Sequence, residues 1–505
     1  MKKFTRIAGF ILAGILTVIG LGYAIENWRG ARAWSTEQAR LKHRGEPLVW
    51  PDLLPPAPAP ADNFAAIPLF EGLFEYQPVK GPDGKPRQQW KGGPVSTRLS
   101  ELFRLPAGPK STGKDDPQSE TRRTPALDLA ETAARFRSST NFPTVPDSGK
   151  PARDILAALE SRKAVFDELK AASGRPECRF GVRYEDNVQA LLPHLAWLKS
   201  AGQMLQIRAV AQLENGNRTA AAEDVALILR LADAAGSDPI LISMLVRLAI
   251  ESQAAAAFWQ GWRDQRWTAE DYQRFQKTFE AVNTRQAAIG ALRGERIFGS
   301  SYMDLLIRDP ARYAAVLSGE DGSQSTGGPG LALRLTPSGW LRQNQAAHSR
   351  WLDGVVQQAQ EAPPGMGLSV TARSLETDFG GPTPYNFIVR QMAPSFSNIS
   401  KKGDRSLVRC LLVSTTCAIE RYRAETGHLP ITLADLAPKY LKAAPVDPMD
   451  GKPLRYQARS DGHFELYSVG LDGIDDDGAG ASGRGKEPKD WAWPGRLPRT
   501  DIHTL

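Results

Sequence analysis

The chain has 505 residues, 41% of them hydrophobic, with 63 Lys+Arg against 56 Asp+Glu and three Cys. At roughly 150 residues per domain there is chain enough for about three domains with real cores, which excludes wholesale disorder, a collagen-like fibre and a disulfide-dense miniprotein. The net charge of +7 is thin over this length and its basic residues are interleaved with acids, so nucleic acid is not the implied partner.

Residues 1–6 are basic, and residues 7–25 carry no charge at all. As a helix rising ~1.5 Å per residue, that run spans ~28 Å, about one hydrocarbon core. Lys2, Lys3 and Arg6 form the cytoplasmic flank, which puts the rest of the chain outside. The competing reading is a cleaved signal peptide, with Gly22-Tyr23-Ala24 as its small-x-small site. An anchor is favoured because Trp28, Ala31 and Trp34 continue the helical spacing and no breaker occurs before Gly45. Trp28 beside Arg29 also suits the headgroup level. Residues 1–6 are thus a cytoplasmic tail, 7–25 a transmembrane anchor, and 26–62 a juxtamembrane helix with a stiff Pro-rich spacer at 51–60.

Residues 63–70 are apolar enough to dock on a core, but most of 63–150 is polar and rich in Gly, Pro, Ser and Thr. It reads as irregular and partly disordered, with one short helix after Thr124-Pro125. The all-α body follows at 151–317. Pro151 opens a helix whose stripe is Ile155, Leu159, Phe166 and Leu169. Residues 186–213 carry a second stripe through Leu191, Leu195, Leu198, Leu205 and Val210, with Pro193 as a start or a kink. Residues 219–235 form a third helix. Asp238-Pro239 reads as the N-cap and first turn of a fourth that reaches Trp262, and Thr268-Ala269-Glu270-Asp271 as the capping box of a fifth. Short connections make this an antiparallel array. Residues 209–231 look like one tetratricopeptide-type hairpin, without a second copy at a fixed period. Residues 318–402 form a linker, Gly/Ser-rich at 318–330, and a peripheral helix at 340–360.

The module at 403–480 opens with the strongest helical pattern of the chain. Leu407, Leu411, Ala418 and Tyr422 make one stripe, with Val408, Leu412 and Ile419 beside it, stopped by Gly427 and Pro430. A helical turn is expected at 433–441. Two strands at 454–458 and 464–469 then flank Ser460-Asp461-Gly462, a hairpin signal. The fold class is mainly α: an N-terminal transmembrane helix, an all-α antiparallel body and a small α+β module, followed by a tail at 481–505.

Ala418-Ile419-Glu420-Arg421-Tyr422-Arg423, Gly427-His428-Leu429-Pro430, Leu436-Ala437-Pro438-Lys439-Tyr440-Leu441, Pro445-Val446-Asp447-Pro448 and Leu466-Tyr467-Ser468-Val469-Gly470 share the order and spacing of the major pseudopilin core of type II secretion systems. The stretch from about 406 to 480 resembles that core, which implies its fold. The N-terminus departs from the pseudopilin start, with Phe4-Thr5-Arg6-Ile7 and no Glu in the apolar run, so assembly into a pseudopilus is not implied. The chain as a whole looks like large single-pass proteins of planctomycete and verrucomicrobial type. Those end in a Tyr-Ser-Val-Gly, acidic-Gly, Asp-Trp-x-Trp-x-x-Pro pattern; here it is Asp490-Trp491-Ala492-Trp493-Pro494, with Pro one residue early.

Asp472, Asp475, Asp476 and Asp477 crowd four carboxylates into six residues of a Gly-flexed loop. They are the candidate metal ligands. Calcium, which takes six to eight hard oxygens, is the expected cofactor, and the resemblance implies it, since pseudopilins of this type bind calcium in the corresponding loop. A solvated acidic turn is the alternative. It is not an EF-hand, because Ile474 stands at position three and Gly483 at position twelve. Gly480 to Lys486 mimics a phosphate loop, yet Glu487 replaces its Ser/Thr. No Gly-x-Ser-x-Gly or His-Glu-x-x-His occurs, and the six His are never at ligand spacing. His194 reads as a core or surface histidine, Trp491 and Trp493 as anchors of the tail, and Cys178, Cys410 and Cys417 as small buried hydrophobes.

No catalytic residue is assigned. The expectation is a non-enzymatic protein of the bacterial inner membrane, inserted through residues 7–25, with its body in the periplasm and an unidentified envelope protein as partner. The alternatives are an extracytoplasmic enzyme whose site is dispersed in sequence and a tetratricopeptide-like receptor for peptides.

Overall fold

An uncharged helix of bilayer length has no reason to end at the headgroups if the next residues also favour helix and find a partner. Here α1 (Lys2–His43) runs unbroken for 42 residues. The computed structural model describes residues 2–80, 86–106, 126–310, 335–363, 365–368, 381–478 and 489–493. Among them the chain is mainly helical, with one small antiparallel sheet near the C-terminus and an isolated hairpin. The expected linker at 318–330, the Gly-rich stretch at 480–486 and most of the tail lie outside these residues.

The polar segment between 77 and 150 holds more structure than its composition predicts. β1 (Tyr76–Lys80) pairs antiparallel with β2 (Pro86–Trp90), and α3 (Gly93–Leu102) and α4 (Leu129–Ser138) follow. The two helices bury Leu99 and Phe136, and Phe103 is buried just after α3, which a window dominated by polar residues conceals. Ahead of them a short helix, α2 (Trp50–Leu53), leads to Phe64, Ile67, Leu69 and Phe70, all docked on the core as expected.

The body holds α5 (Pro151–Leu159), α6 (Lys163–Ala172), α7 (Pro193–Glu214), α8 (Arg218–Ala235), α9 (Leu241–Arg263) and α10 (Ala269–Glu280); α7, α8 and α9 pack as successive hairpins, α5 lies on α7, and α10 packs on the long helix Phe387–Thr426. Pro193 is the true start of α7; residues 184–189 ahead of it form a 3-10 turn. The capping box at Thr268 and Asp271 is formed. A further long helix, α11 (Thr284–Arg308), was not anticipated: its charged residues interrupt the apolar stripe. Two described helices are long and apolar enough to cross a membrane, α1 and α9. Most of α9 is buried among its neighbours, which makes it a core helix, whereas the apolar half of α1 is exposed.

Residues 338–361 form α12 (Ser338–Glu361), which packs between α1 and α11 rather than at the periphery. α13 (Phe387–Thr426) starts well before the module boundary expected at 403, and Gly427 ends it in the left-handed conformation, φ +81°. A 3-10 turn at Leu433–Leu436 precedes the hairpin of β3 (Arg455–Ala458) and β4 (Phe464–Ser468). The tail adds a third strand, β5 (Trp491–Ala492), beside β4. Trp491 and Trp493 are buried, and Trp493 meets Phe258 and Trp262 of α9 with ring centroids 6.0 and 5.8 Å apart. Body and module therefore share one hydrophobic core. Polar contacts cross the same seam: the Trp262 indole donates to Glu420 at 2.7 Å and the Gln276 amide to the Tyr440 carbonyl at 2.7 Å.

Candidate functional site

Within the module, the Pro445-Val446-Asp447-Pro448 segment is held by Asp447 N donating to the Lys452 carbonyl and Leu454 N to the Pro445 carbonyl, which carries the Asp447 side chain into the interior. The buried Asp447 carboxylate takes the Ser468 hydroxyl at 2.7 Å and the amides of Met449 and Val469 at 3.0 and 2.9 Å. Arg455 approaches the same carboxylate at 3.4 Å and reaches on to Asp450 and Asp475, tying this turn to the acidic loop.

The four loop aspartates divide between partners. Asp475 accepts from the Tyr467 hydroxyl at 3.0 Å and pairs with Arg455 at 3.1 Å; burial works the other way, but these bonds hold its carboxyl below the usual range. Asp476 pairs with Lys489 at 2.9 Å. Asp472 accepts the amide of Ile474 at 3.2 Å, and Asp477, at φ +56°, donates its amide to Asp475. A fifth carboxylate that the sequence reading left outside the set, Asp490, is almost wholly buried beneath the loop and accepts the amides of Asp476 and Gly478 at 3.1 and 2.8 Å. Burial pushes the Asp490 carboxyl up. Asp476 Oδ2 and Asp490 Oδ1 are buried without a hydrogen-bond partner among the described residues. Among the described residues no three His, Cys, Asp or Glu side chains come together so as to hold a metal ion. The strand order brings Asp490 to the loop, and its distance in sequence hid it.

A second polar assembly seats the foot of α1. Asp353 of α12 pairs with Arg40 at 2.8 Å, with Arg44, and with Arg296 of α11 at 2.9 Å. Glu46, just after α1, pairs with Arg293 and Arg296 at 2.7 and 2.9 Å. Burial raises the Glu46 carboxyl, but the two guanidinium bonds outweigh it and hold it below the ordinary value. Between three and four turns before Arg40, Asn27 Oδ1 accepts the Gly339 amide at 2.9 Å and Glu26 takes the Trp340 indole at 3.1 Å, so α1 satisfies the open N-terminus of α12. Beside this crossing Trp28, Leu335 and Phe387 remain exposed, and Arg29 lies over the Tyr385 ring at 5.5 Å.

A cavity of about 260 Å³ lies between the 3-10 turn at 184–189, the start of α9 and α11. Val188, Leu192, Ile240, Ile242 and Phe298 make its wall apolar. Its polar groups are Tyr184, Asn187 and Glu295. The Tyr184 ring stacks on Trp50 at 4.5 Å, and its hydroxyl donates to Asp238, whose other oxygen meets His194 Nε2 at 2.6 Å. Asp238 is thus no N-cap: its side chain is held by Tyr184 and His194, and α9 starts after Ile240. His194 is a core histidine, stacked on Phe180. Asn187 sits at φ +50°, ψ −126°, a strained geometry for a residue with a Cβ, fixed by bonds to Ser301 Oγ at 2.6 Å and the Phe298 carbonyl at 3.1 Å. Glu295 accepts the Leu241 amide at the start of α9, and burial pushes its carboxyl up to about 7. Helical periodicity gave no signal for this pocket, because its walls come from three separate stretches of chain.

Cys410 and Cys417 are buried free thiols, and Cys178 is partly buried. Comparison with known families, with curated proteins and with solved structures returns no match.

Proposed function

We propose that this is a single-pass protein of the bacterial inner membrane whose body, on the periplasmic side, serves a structural or protein-interaction role toward another envelope protein. One observation carries the reading: a single helix is bare and apolar over its first half and locked into the body over its second by Arg40 on the buried Asp353 and by close backbone packing of Gly30 on Gly339. Such an arrangement transmits the orientation of the anchor to the body without a flexible joint. The basic residues at 2, 3 and 6 support a cytoplasmic N-terminus. Exposed Trp28, Leu335 and Phe387, with Arg29 near them, support a headgroup-level collar around the emerging helix.

The pseudopilin-like motifs between 406 and 480 support a packing role for the module, and calcium is its proposed stabiliser. Two buried carboxylate oxygens without partners, on Asp476 and Asp490, support a cation at the loop. Arg455 and Lys489 would share the charge with it.

Fractionation tests the anchor. The intact chain is expected in the membrane after an alkaline carbonate wash, with the body digested by protease added to spheroplasts. A body released in soluble form, with a new N-terminus just after Ala24, would establish a cleaved signal peptide instead.

A further inference from the structure

The cavity beside α9 is walled by apolar side chains, and two of its three polar groups are already committed. The Tyr184 hydroxyl is spent on Asp238, and the Asn187 amide on α11. Glu295 differs. Among the described residues one backbone amide, that of Leu241, is the only hydrogen bond to its carboxyl, and no Lys, Arg or His forms an ion pair with it. The nearest arginines in sequence, Arg293 and Arg296 of the same helix, are bound to Glu46 and Asp353. A carboxyl in an apolar pocket without a counter-charge is costly to ionise, and a cation brought in by a ligand removes that cost. An anionic ligand would meet repulsion at the same point. The volume is close to the lower end of ordinary small-molecule pockets. The strained Asn187, tied to α11, and the Trp50–Tyr184 stack hold the walls apart. Ile242 is 54% exposed and marks the mouth.

We propose that this cavity binds a small amphiphile with an apolar body and a protonated amine, the amine paired with Glu295. The site does not depend on which side of a membrane the body occupies.

Matched ring compounds test it by titration calorimetry on the full chain in lipid nanodiscs, with empty nanodiscs as the blank. At about pH 8, where Glu295 is ionised, cyclohexylamine is expected to bind about tenfold or more tighter than cyclohexanol, and cyclohexanecarboxylate weakest. At about pH 5.5 the amine should lose most of that advantage as Glu295 gains its proton. The other ionisable groups near the pocket are the Tyr184–Asp238–His194 chain on its floor and the two paired arginines of α11. Glu295→Gln should bring the amine to the level of the alcohol and leave the alcohol unchanged. An amine no tighter than the alcohol, or an amine preference that survives Glu295→Gln, overturns the proposal. If Glu295→Gln does not fold, Ile242→Trp narrows the mouth and should weaken all three probes; unaltered amine affinity in that variant overturns it equally.

Discussion

Gly30 of α1 and Gly339 of α12 cross so closely that a Cβ placed on Gly30 would lie 2.2 Å from the Gly339 carbonyl oxygen. The same contact from the other side puts a Gly339 Cβ 1.9 Å from the carbonyl of Glu26. Both obstacles are backbone, which cannot rotate away. Gly30→Ala should therefore destabilise the full chain by about 1–3 kcal/mol or more, read as a lower urea midpoint. Gly14→Ala, in the bare half of the same helix with nothing within 4 Å, should leave the midpoint where it is.

The socket of α1 predicts a contrast between two charged residues. Asp353 is 1% exposed and serves three arginines, of which Arg296 is interior and Arg40 and Arg44 are part-exposed; Asp353→Ala takes a carboxylate from the buried Arg296 guanidinium and should cost about 3–5 kcal/mol. Arg350 is 62% exposed and sits 3.4 Å from Glu37. Arg350→Ala should cost no more than about 1 kcal/mol. Equal losses in chemical denaturation would show that the network is not what holds the helix.

His348 of α12 is fully buried against Gly299, with neither ring nitrogen hydrogen-bonded. Burial, and secondarily the charge of Arg296, push its pKa down to about 4. The folded protein thus resists a proton that the unfolded chain accepts near pH 6.5. Stability from this residue is intact above that value and declines as pH falls toward 4, by roughly 3 kcal/mol in all. His348→Leu should remove this part of the slope. Carboxylates titrate in the same range, so the measurement is the difference between the two stability–pH curves between pH 6.5 and 4; parallel curves would refute it.

Calcium should raise the melting temperature of the full chain and EDTA should reverse the gain, because an ion that binds only the folded loop stabilises by mass action. Asp490→Asn should abolish the response while the membrane association of the chain persists. A titration with neither heat nor a shift in melting temperature ends the metal reading.

Local chemistry explains which features were legible in advance. A capping box needs only Thr268 and Asp271 three residues apart, and a left-handed stop needs only Gly427, so both were readable. So were the β3–β4 hairpin and the tail tryptophans as anchors. The start of α13 was missed because Pro394 and the Ser- and Lys-rich residues after it look like loop, whereas the finished helix reaches back to Phe387, with Phe396 packed on the cluster formed with α12. Asp238 was misread for a related reason: its neighbours in sequence suit a cap, but Tyr184 and His194 claim its oxygens.

The amino-acid order alone determined the bare apolar helix, the helical body and the α+β module, since each depends on periodicity and on turn residues within a few positions. Only the tertiary structure decided that Arg296 is interior, that Asp490 joins the acidic loop and that Glu295 faces a cavity without a counter-charge. Charge at helical spacing looks the same whether it faces water or another helix. Burial is a property of the neighbours, and here those neighbours lie 12 to 250 residues away.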